Sequence, residues 1–358
     1  MQTESNILDL LMAESIKAEL KTKRALIIQP GAIGDCILTL PLASFMKQTL
    51  SLGGVDFLGH TEYIGIFPGR TCIDSISSID SIDLHKLFLD SKEFTLDDRD
   101  PLIKTFSEYS WVVSFLGESE SDFEKNLIFT TNCSQNSEVI TLSSQPSSEV
   151  AEHITEFLIQ QFINQCGLSL QSPFLFNNDC QIKATKTDIC KGKDLLWEFG
   201  LEPQKKLVVI QPGSGARNKC WFMENYLSIV NELRSRNTQV VFLLGPAELE
   251  RFSNETIQSL ANATKCLADL PLTEVLKILT CTDAFIGNDS GITHLAAALG
   301  VNTIVVFGPT NPNIYKPIGP KVRVFSQNDE DFANRPSDKL REDIMQVLLA
   351  DILHTNIL

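Results

Sequence analysis

The chain predicts an α/β fold made of two similar halves, and three observations carry that expectation. Short apolar runs of the kind that form buried parallel strands, such as residues 25–28, 207–210 and 301–307, alternate with helical patterns. A Gln-Pro-Gly triplet follows a buried strand in each half, at Gln29–Pro30–Gly31 and again at Gln211–Pro212–Gly213. The length, 358 residues, exceeds one ordinary core and suits two domains. Two such halves facing one cleft would account for the repeat.

The elements follow in order. Residues 6–15 read as a short amphipathic helix packed on the body. Residues 25–28 form the first strand. Gly31 and Gly34 then permit a tight turn, and a helix begins near Asp35. Pro41 is expected to kink or restart that helix. Residues 55–58 are a second strand, and 73–84 are an exposed strand or an irregular loop. The triplet Asp98-Arg99-Asp100 follows no strand and reads as a solvated turn. Strands are expected at 110–116 and 139–142, with a helix start at 118–122 and a helix over 150–166. An inter-domain hinge is placed at 167–183 or slightly later. The second half opens with a helix at 185–199 and a strand at 207–210. A helix at 223–236, a strand at 240–244 and a helix opened by Glu248 follow. Thr273 or Asp269 is expected to cap the next helix. Residues 284–307 read as strand, turn, helix and strand, with Gly300 as the helix stop. Residues 336–353 form a final amphipathic helix.

Composition narrows the function classes. The net charge of −15 is uneven: residues 1–180 hold 11 Lys and Arg against 25 Asp and Glu, and residues 181–358 hold 19 against 20. A nucleic-acid binder would carry the opposite sign on one half, and the second half is the better host for an anionic ligand. The nine cysteines include no CxxC pair, and the five histidines make no HxxxH or HExxH motif. Neither a disulfide framework nor a zinc site is expected, and a reducing cytoplasm is the default. No apolar run reaches transmembrane length, and the acidic first 20 residues are unlike a signal peptide.

Three turns at expected strand ends carry chemistry. Asp289, Ser290 and Gly291 lie between a strand and a helix, where backbone N–H groups and a helix N-terminus suit a phosphate. An ordinary connection with a capped helix is the alternative. Gly213, Ser214 and Gly215, with Arg217 and Lys219, form either a phosphate cradle or a basic loop. Glu248 opens a helix or holds a ribose hydroxyl. Asp35 caps the first helix or acts in chemistry. The GxxGD turn is neither the GxGxxG dinucleotide signature nor a P-loop.

Three stretches together resemble glycosyltransferase family 9, the heptosyltransferase family. They are GAIGDCILTLP at 31–41, VVIQPGSGARNKCWFMENY at 208–226 and FIGNDSGITHLAAALGVNTIVVFGPTNP at 285–312. The resemblance spans about residues 24–325. It implies the GT-B architecture, two Rossmann-like αβα domains facing a central cleft. These are an acceptor-side domain over 1–180 and a sugar-nucleotide domain over 181–335, with a C-terminal helix over 336–358. It also implies roles. Asp35 is the general base, with Gly31 and Gly34 in the acceptor-side loop. Lys219 contacts the donor phosphates, with Ser214 in the same loop. Asp289 holds the donor, Ser290 and Gly291 offer N–H groups to the pyrophosphate, and His294 flanks them. Glu248 lies near the nucleoside.

The activity so implied is inverting, metal-independent transfer of a sugar, heptose first, from ADP-heptose or a similar donor to a lipopolysaccharide core or other glycan. The nucleotide sugar is a co-substrate and no cofactor is expected. The partners are that donor and a glycan or lipid-linked glycan acceptor. The setting is the cytoplasm, with a peripheral contact at the inner membrane also expected. A same-fold transferase with another sugar or acceptor is the alternative, and a non-catalytic sugar-nucleotide-binding protein is a further one. The chain departs from the family in two places: Gln211 stands where many members have His, and Phe222 where a proline commonly stands. The first half also offers few cations for an anionic acceptor, chiefly Arg70, Lys86, Lys92, Arg99, Lys104 and Lys125.

Overall fold

The computed structural model describes residues 23–146, 152–168, 181–327 and 332–354. The segment 6–15 and most of the expected hinge lie outside the described residues. The chain divides into two compact units. One comprises residues 1–32, 39–150 and 154–174, and the other residues 33–38, 151–153 and 175–358.

The first unit carries a five-stranded parallel sheet. In chain order the elements are β1 (Arg24–Ile28), α1 (Ile33–Thr49, of which residues 33–38 group with the other unit), β2 (Gly54–Gly59), α2 (Thr61–Ile64), β3 (Ser75–Ser78), α3 (Pro101–Phe106), β4 (Trp111–Ser114), α4 (Asp122–Asn132), β5 (Glu138–Thr141) and α5 (Ile154–Cys166). The sheet order is β3-β2-β1-β4-β5. Strand β1 is central because Ala25 to Ile28 are apolar on both faces and fully covered. On one face Leu26, Ile28, Leu58 and Val112 pack under Phe106, Phe123 and Leu127. At the amino edge the buried Asp56 accepts from the Arg24 guanidinium, from Tyr109 Oη at 3.0 Å and from the Ser75 amide at 3.1 Å.

The second unit carries a six-stranded parallel sheet. Its elements are α6 (Lys186–Glu198), β6 (Leu207–Gln211), α7 (Met223–Ser235), β7 (Gln239–Leu244), α8 (Pro246–Arg251), α9 (Asn254–Ala263), β8 (Lys265–Ala268), α10 (Leu272–Leu279), β9 (Ala284–Asn288), α11 (Gly291–Ala298), β10 (Asn302–Phe307), α12 (Pro312–Tyr315), β11 (Val322–Ser326) and α13 (Asp338–His354). The order is β11-β10-β9-β6-β7-β8. Val208, Ile210, Phe242, Ile286 and Val306 form its core with Tyr226, Ile229 and Leu233 of α7. The sequence predicts this α/β class with two Rossmann-like sheets, and both sheets are present, each parallel throughout. In each sheet the strand order reverses at the first strand of the unit, beside β1 and beside β6. In such sheets ligands bind at the carboxyl ends of the strands flanking the reversal.

Two local expectations are revised. Helix α1 does not restart at Pro41; it runs as one element from Ile33 to Thr49. A helix-interior proline costs about 3 kcal/mol. Burial of Cys36, Ile37, Leu38, Leu40, Leu42, Phe45 and Met46 on this helix offsets that cost. Helix α10 has Pro271 at its cap and neither Thr273 nor Asp269, because the chain turns at Asp269 with φ of 55°. The segment 73–84 is both things anticipated, a short edge strand and then a 3-10 turn. Asp98-Arg99-Asp100 is a turn, and Asp100 caps α3 through the Leu102 amide at 2.9 Å while taking Lys86 at 3.0 Å. Among the described residues no helix is long and apolar enough to cross a membrane. No group of three or more His, Cys, Asp or Glu there is placed to hold a metal.

Candidate active site

The ends of β6 and β9 lie side by side, with Gln211 paired in register to Gly287. Beyond β9 the chain turns through Asp289 and Ser290 into α11. Ser290 is the N-cap: its hydroxyl accepts from the Thr293 amide at 3.3 Å. Thr293 Oγ1 in turn donates to the Asn288 carbonyl at 2.6 Å. A side chain at 287 would meet Thr293 Oγ1 at 2.6 Å, so the glycine is required for this closure. Gly300 ends the helix with φ of 78°, as its sequence position predicts.

The loop after β6 is fastened to this turn. Asn288, fully buried, donates to the Pro212 carbonyl at 2.7 Å and the Gly213 carbonyl at 3.2 Å. Its oxygen accepts from the Trp221 amide and from Tyr226 Oη, each at 2.9 Å. Ser214 Oγ donates to the Asp289 carbonyl at 2.5 Å, and Arg251 holds the Ser214 carbonyl at 2.8 Å. Lys219, in the 3-10 turn Arg217–Lys219, reaches Asp289 Oδ2 at 2.9 Å. His294 Nε2 stands 3.8 Å from Asp289 Oδ1, an electrostatic contact longer than a hydrogen bond. His294 is buried, and its Nδ1 has no hydrogen-bond partner among the described residues.

Gln211 joins the two sides. Its Nε2 donates to Glu248 Oε1 at 3.0 Å, and its Oε1 accepts from Ser290 Oγ at 2.6 Å. Glu248 also takes the Gly245 amide at 2.8 Å, which makes it the helix-start carboxylate of α8. Burial pushes its carboxyl up, against the pull of those donors. The matching Gln29 of the first unit is also buried, but it serves its own surroundings. Its Nε2 bonds Thr39 Oγ1 at 3.1 Å and its Oε1 accepts from the Gly31 amide at 2.9 Å.

Of the residues singled out from sequence, Ser214, Lys219, Asp289, Ser290, Gly291 and His294 converge at the β6/β9 crevice, and Glu248 joins them through Gln211. Gly31 follows β1, and Gly34 and the exposed Asp35 sit in the first turn of α1. Sequence reasoning missed Gln211, Asn288, Thr293 and Arg251 as site residues. The available signal was a polar residue, Asn288, closing the otherwise apolar run 284–287, and a glutamine repeated before both Pro-Gly turns.

Burial acts to raise the Asp289 carboxyl, but His294 and the Lys219 charge outweigh it and hold the group below the ordinary carboxylate range. Its pairing therefore stabilises the fold above the unfolded value, about 3.9, and is lost as pH falls through the lower folded value. Asp289→Asn is expected to flatten that acid limb in a pH series of thermal melts. An acid limb identical to wild type would show that the pairing contributes nothing to the fold.

A doubly wound parallel sheet whose reversal point presents a helix N-terminus, a lysine and a carboxylate is the class of site that takes a phosphorylated ligand. The model of glycosyltransferase family 9 (heptosyltransferase) matches residues 133–343, more than half the chain. The chain belongs to that family. Lipopolysaccharide heptosyltransferase 2 of Salmonella typhimurium is 27% identical over 133 residues, 36% of this chain. The aligned part of the chain spans 38% of that relative's length. Lipopolysaccharide heptosyltransferase 1 of Campylobacter coli is 24% identical over 296 residues, 79% of this chain and 83% of that one. Among solved structures, a family 9 glycosyl transferase from Veillonella parvula superposes with a TM-score of 0.68 at 16% identity, covering 93% of this chain and 97% of that one. The E. coli ADP-heptose lps heptosyltransferase II gives 0.65 at 16% identity, covering 93% and 99%. These two likenesses show the fold, two Rossmann-like domains of the GT-B kind.

Proposed function

We propose that the chain is an inverting glycosyltransferase that moves a sugar, heptose in the first instance, from an ADP-linked donor to a hydroxyl of a lipopolysaccharide core or other glycan. The observation that carries the reading is the convergence of Lys219, Asp289 and the N-terminus of α11 at one sheet-reversal crevice in a family 9 chain. The heptosyltransferase relatives and the ADP-heptose enzyme of the same fold support the choice of sugar and nucleotide.

In this reading the donor pyrophosphate lies against the backbone N–H groups of Ser290 and Gly291. The Ser290 hydroxyl is committed to Gln211, so its backbone does this work. Asp35 takes the proton of the acceptor hydroxyl as the new C–O bond forms at the anomeric carbon. The bond from that carbon to the phosphate oxygen breaks, and its electron pair leaves with the nucleoside diphosphate. Lys219 and the helix N-terminus offset the growing charge, so the step is written without a metal. Attack opposite the leaving group inverts the centre. A donor of this class is a cytoplasmic metabolite, and the reading places the chain there.

A thermal-shift screen of nucleotides and nucleotide sugars tests the donor half. ADP and ADP-sugars are expected to raise the melting temperature, by about 2.7 kcal/mol of stabilisation at one hundred times Kd, and Lys219→Ala and Asp289→Ala are expected to abolish the rise. A response to UDP- or GDP-sugars alone would overturn the ADP-heptose assignment. No response to any nucleotide would overturn the transferase reading.

A further inference from the structure

The carboxyl edge of the first sheet has an unusual charge. Its described residues are 29–32 after β1, 60–64 after β2, 79–83 after β3, 115–121 after β4 and 142–146 after β5. They include the five carboxylates Glu62, Asp80, Asp83, Glu118 and Glu120, and neither a lysine nor an arginine. A sugar bearing phosphate or carboxylate would meet repulsion there and find no Arg or Lys fork among these residues to pair with.

The same edge holds one polar and aromatic set. β2 exits hard against the Gln29–Gly31 turn: the Gln29 amide donates to the Leu58 carbonyl at 2.9 Å, and a side chain at Gly59 would meet the Gln29 carbonyl at 2.8 Å. The next residue is His60. Its Nδ1 lies 3.2 Å from Asp80 Oδ2. A carboxylate only accepts, so Nδ1 donates, and in the neutral ring Nε2 is left as an acceptor for a hydroxyl. The Tyr63 ring stands edge to face with the imidazole, centroids 5.9 Å apart at 72°. The buried Ile64 roots the short helix that carries Tyr63. Asp80 is 68% exposed and an exposed pair adds only about 0–1 kcal/mol to a fold. Stability alone gives little reason for orienting this ring.

We propose that His60, Asp80 and Tyr63 form an acceptor subsite for a sugar that carries neither phosphate nor carboxylate. The proposal rests on the transferase reading and names the acceptor class that reading leaves open. A sugar hydroxyl donates to His60 Nε2, the sugar's C–H face covers Tyr63, and Asp80 positions the imidazole. An amino sugar would gain further from the surrounding carboxylates.

The test compares acceptors with the nucleotide sugar that stabilises the wild-type protein. Uncharged and amine-bearing sugar glycosides are set against phosphorylated and carboxylate-bearing counterparts. Transfer is read as kcat/KM, binding by saturation-transfer NMR, and donor hydrolysis is followed as a control. The uncharged and amino acceptors are expected to exceed the anionic ones by about tenfold or more in kcat/KM. His60→Ala and Tyr63→Ala are expected to raise the acceptor KM about tenfold and to leave donor affinity and donor hydrolysis unchanged, which a merely destabilised protein would not do. Glu62→Lys with Glu118→Lys should narrow the gap for anionic acceptors. Donor hydrolysis with transfer only to anionic acceptors would overturn the subsite and leave the transferase reading standing. So would donor hydrolysis without NMR binding of any uncharged or amino acceptor. Absence of both donor binding and hydrolysis would overturn the transferase reading and the subsite with it.

Discussion

An Asp35→Ala protein is expected to bind its nucleotide sugar as tightly as wild type and to turn over about 100-fold or more slowly. The difference arises because a general base acts only as the acceptor proton moves, so its loss appears in kcat and leaves the donor affinity intact. Asp35 lies in the first turn of α1, where a carboxylate also favours the helix dipole by about 0.3–1 kcal/mol. Thermal melts of Asp35→Ala separate that small effect from catalysis, and Asp35→Asn keeps the side-chain shape while removing the base. Calorimetric titration with the donor and a transfer assay on the same preparation make the comparison. Wild-type turnover in Asp35→Ala would remove the residue from the chemistry. Lost donor affinity would make it a binding group instead.

The largest structural effect is expected at Asn288. Its amide is fully buried and makes four bonds, two as donor and two as acceptor. Asn288→Asp keeps the volume but removes both N–H donors, leaves the Pro212 and Gly213 carbonyls facing a carboxylate, and buries a charge. Each unsatisfied buried group costs about 1–3 kcal/mol, and an uncompensated buried charge costs about 3–5 kcal/mol. A loss near 3 kcal/mol corresponds to a fall of about 6–12 °C in melting temperature for a domain of this size. The deficit should narrow at acid pH, because the protonated acid regains one donor. Donor affinity should fall with it, since the loop carrying Ser214 and Lys219 is held through this amide. A melting temperature equal to wild type at neutral pH would refute this account of the loop.

The sheets were legible because central parallel strands are apolar on both faces, as in residues 25–28, 207–210 and 240–244. The edges were not. β8 and β11 are short and largely exposed, with Val324 39% open to solvent, so they lack a continuous apolar run. Helix α9 was missed for a related reason: only Leu260 on it is buried. The charged half of the site was legible because turns at strand ends advertise themselves through Gly, Ser and Asp, and Lys219 lies in such a turn. Gln211 and Asn288 were not legible as site residues, because their work is done across the fold. Gln211 meets Glu248 37 positions away and Ser290 79 positions away. Asn288 reaches back 76 positions to Pro212. Polarity at a strand end says that a partner must exist, and only the fold says which.

The contact between Gly213 and Glu248 fixes an order on sequence change. A β-carbon at position 213 would stand 2.0 Å from Glu248 Oε1 and 2.5 Å from its Cγ. Glu248 is locked by Gln211 and Gly245 and cannot swing aside without breaking both bonds. A lineage that acquires any side chain at 213 must therefore first shorten residue 248, whereas shortening 248 alone leaves 213 untouched. The two positions are passable in one direction only. Homologues with a larger residue at the Gly213 position should accordingly lack glutamate at the Glu248 position.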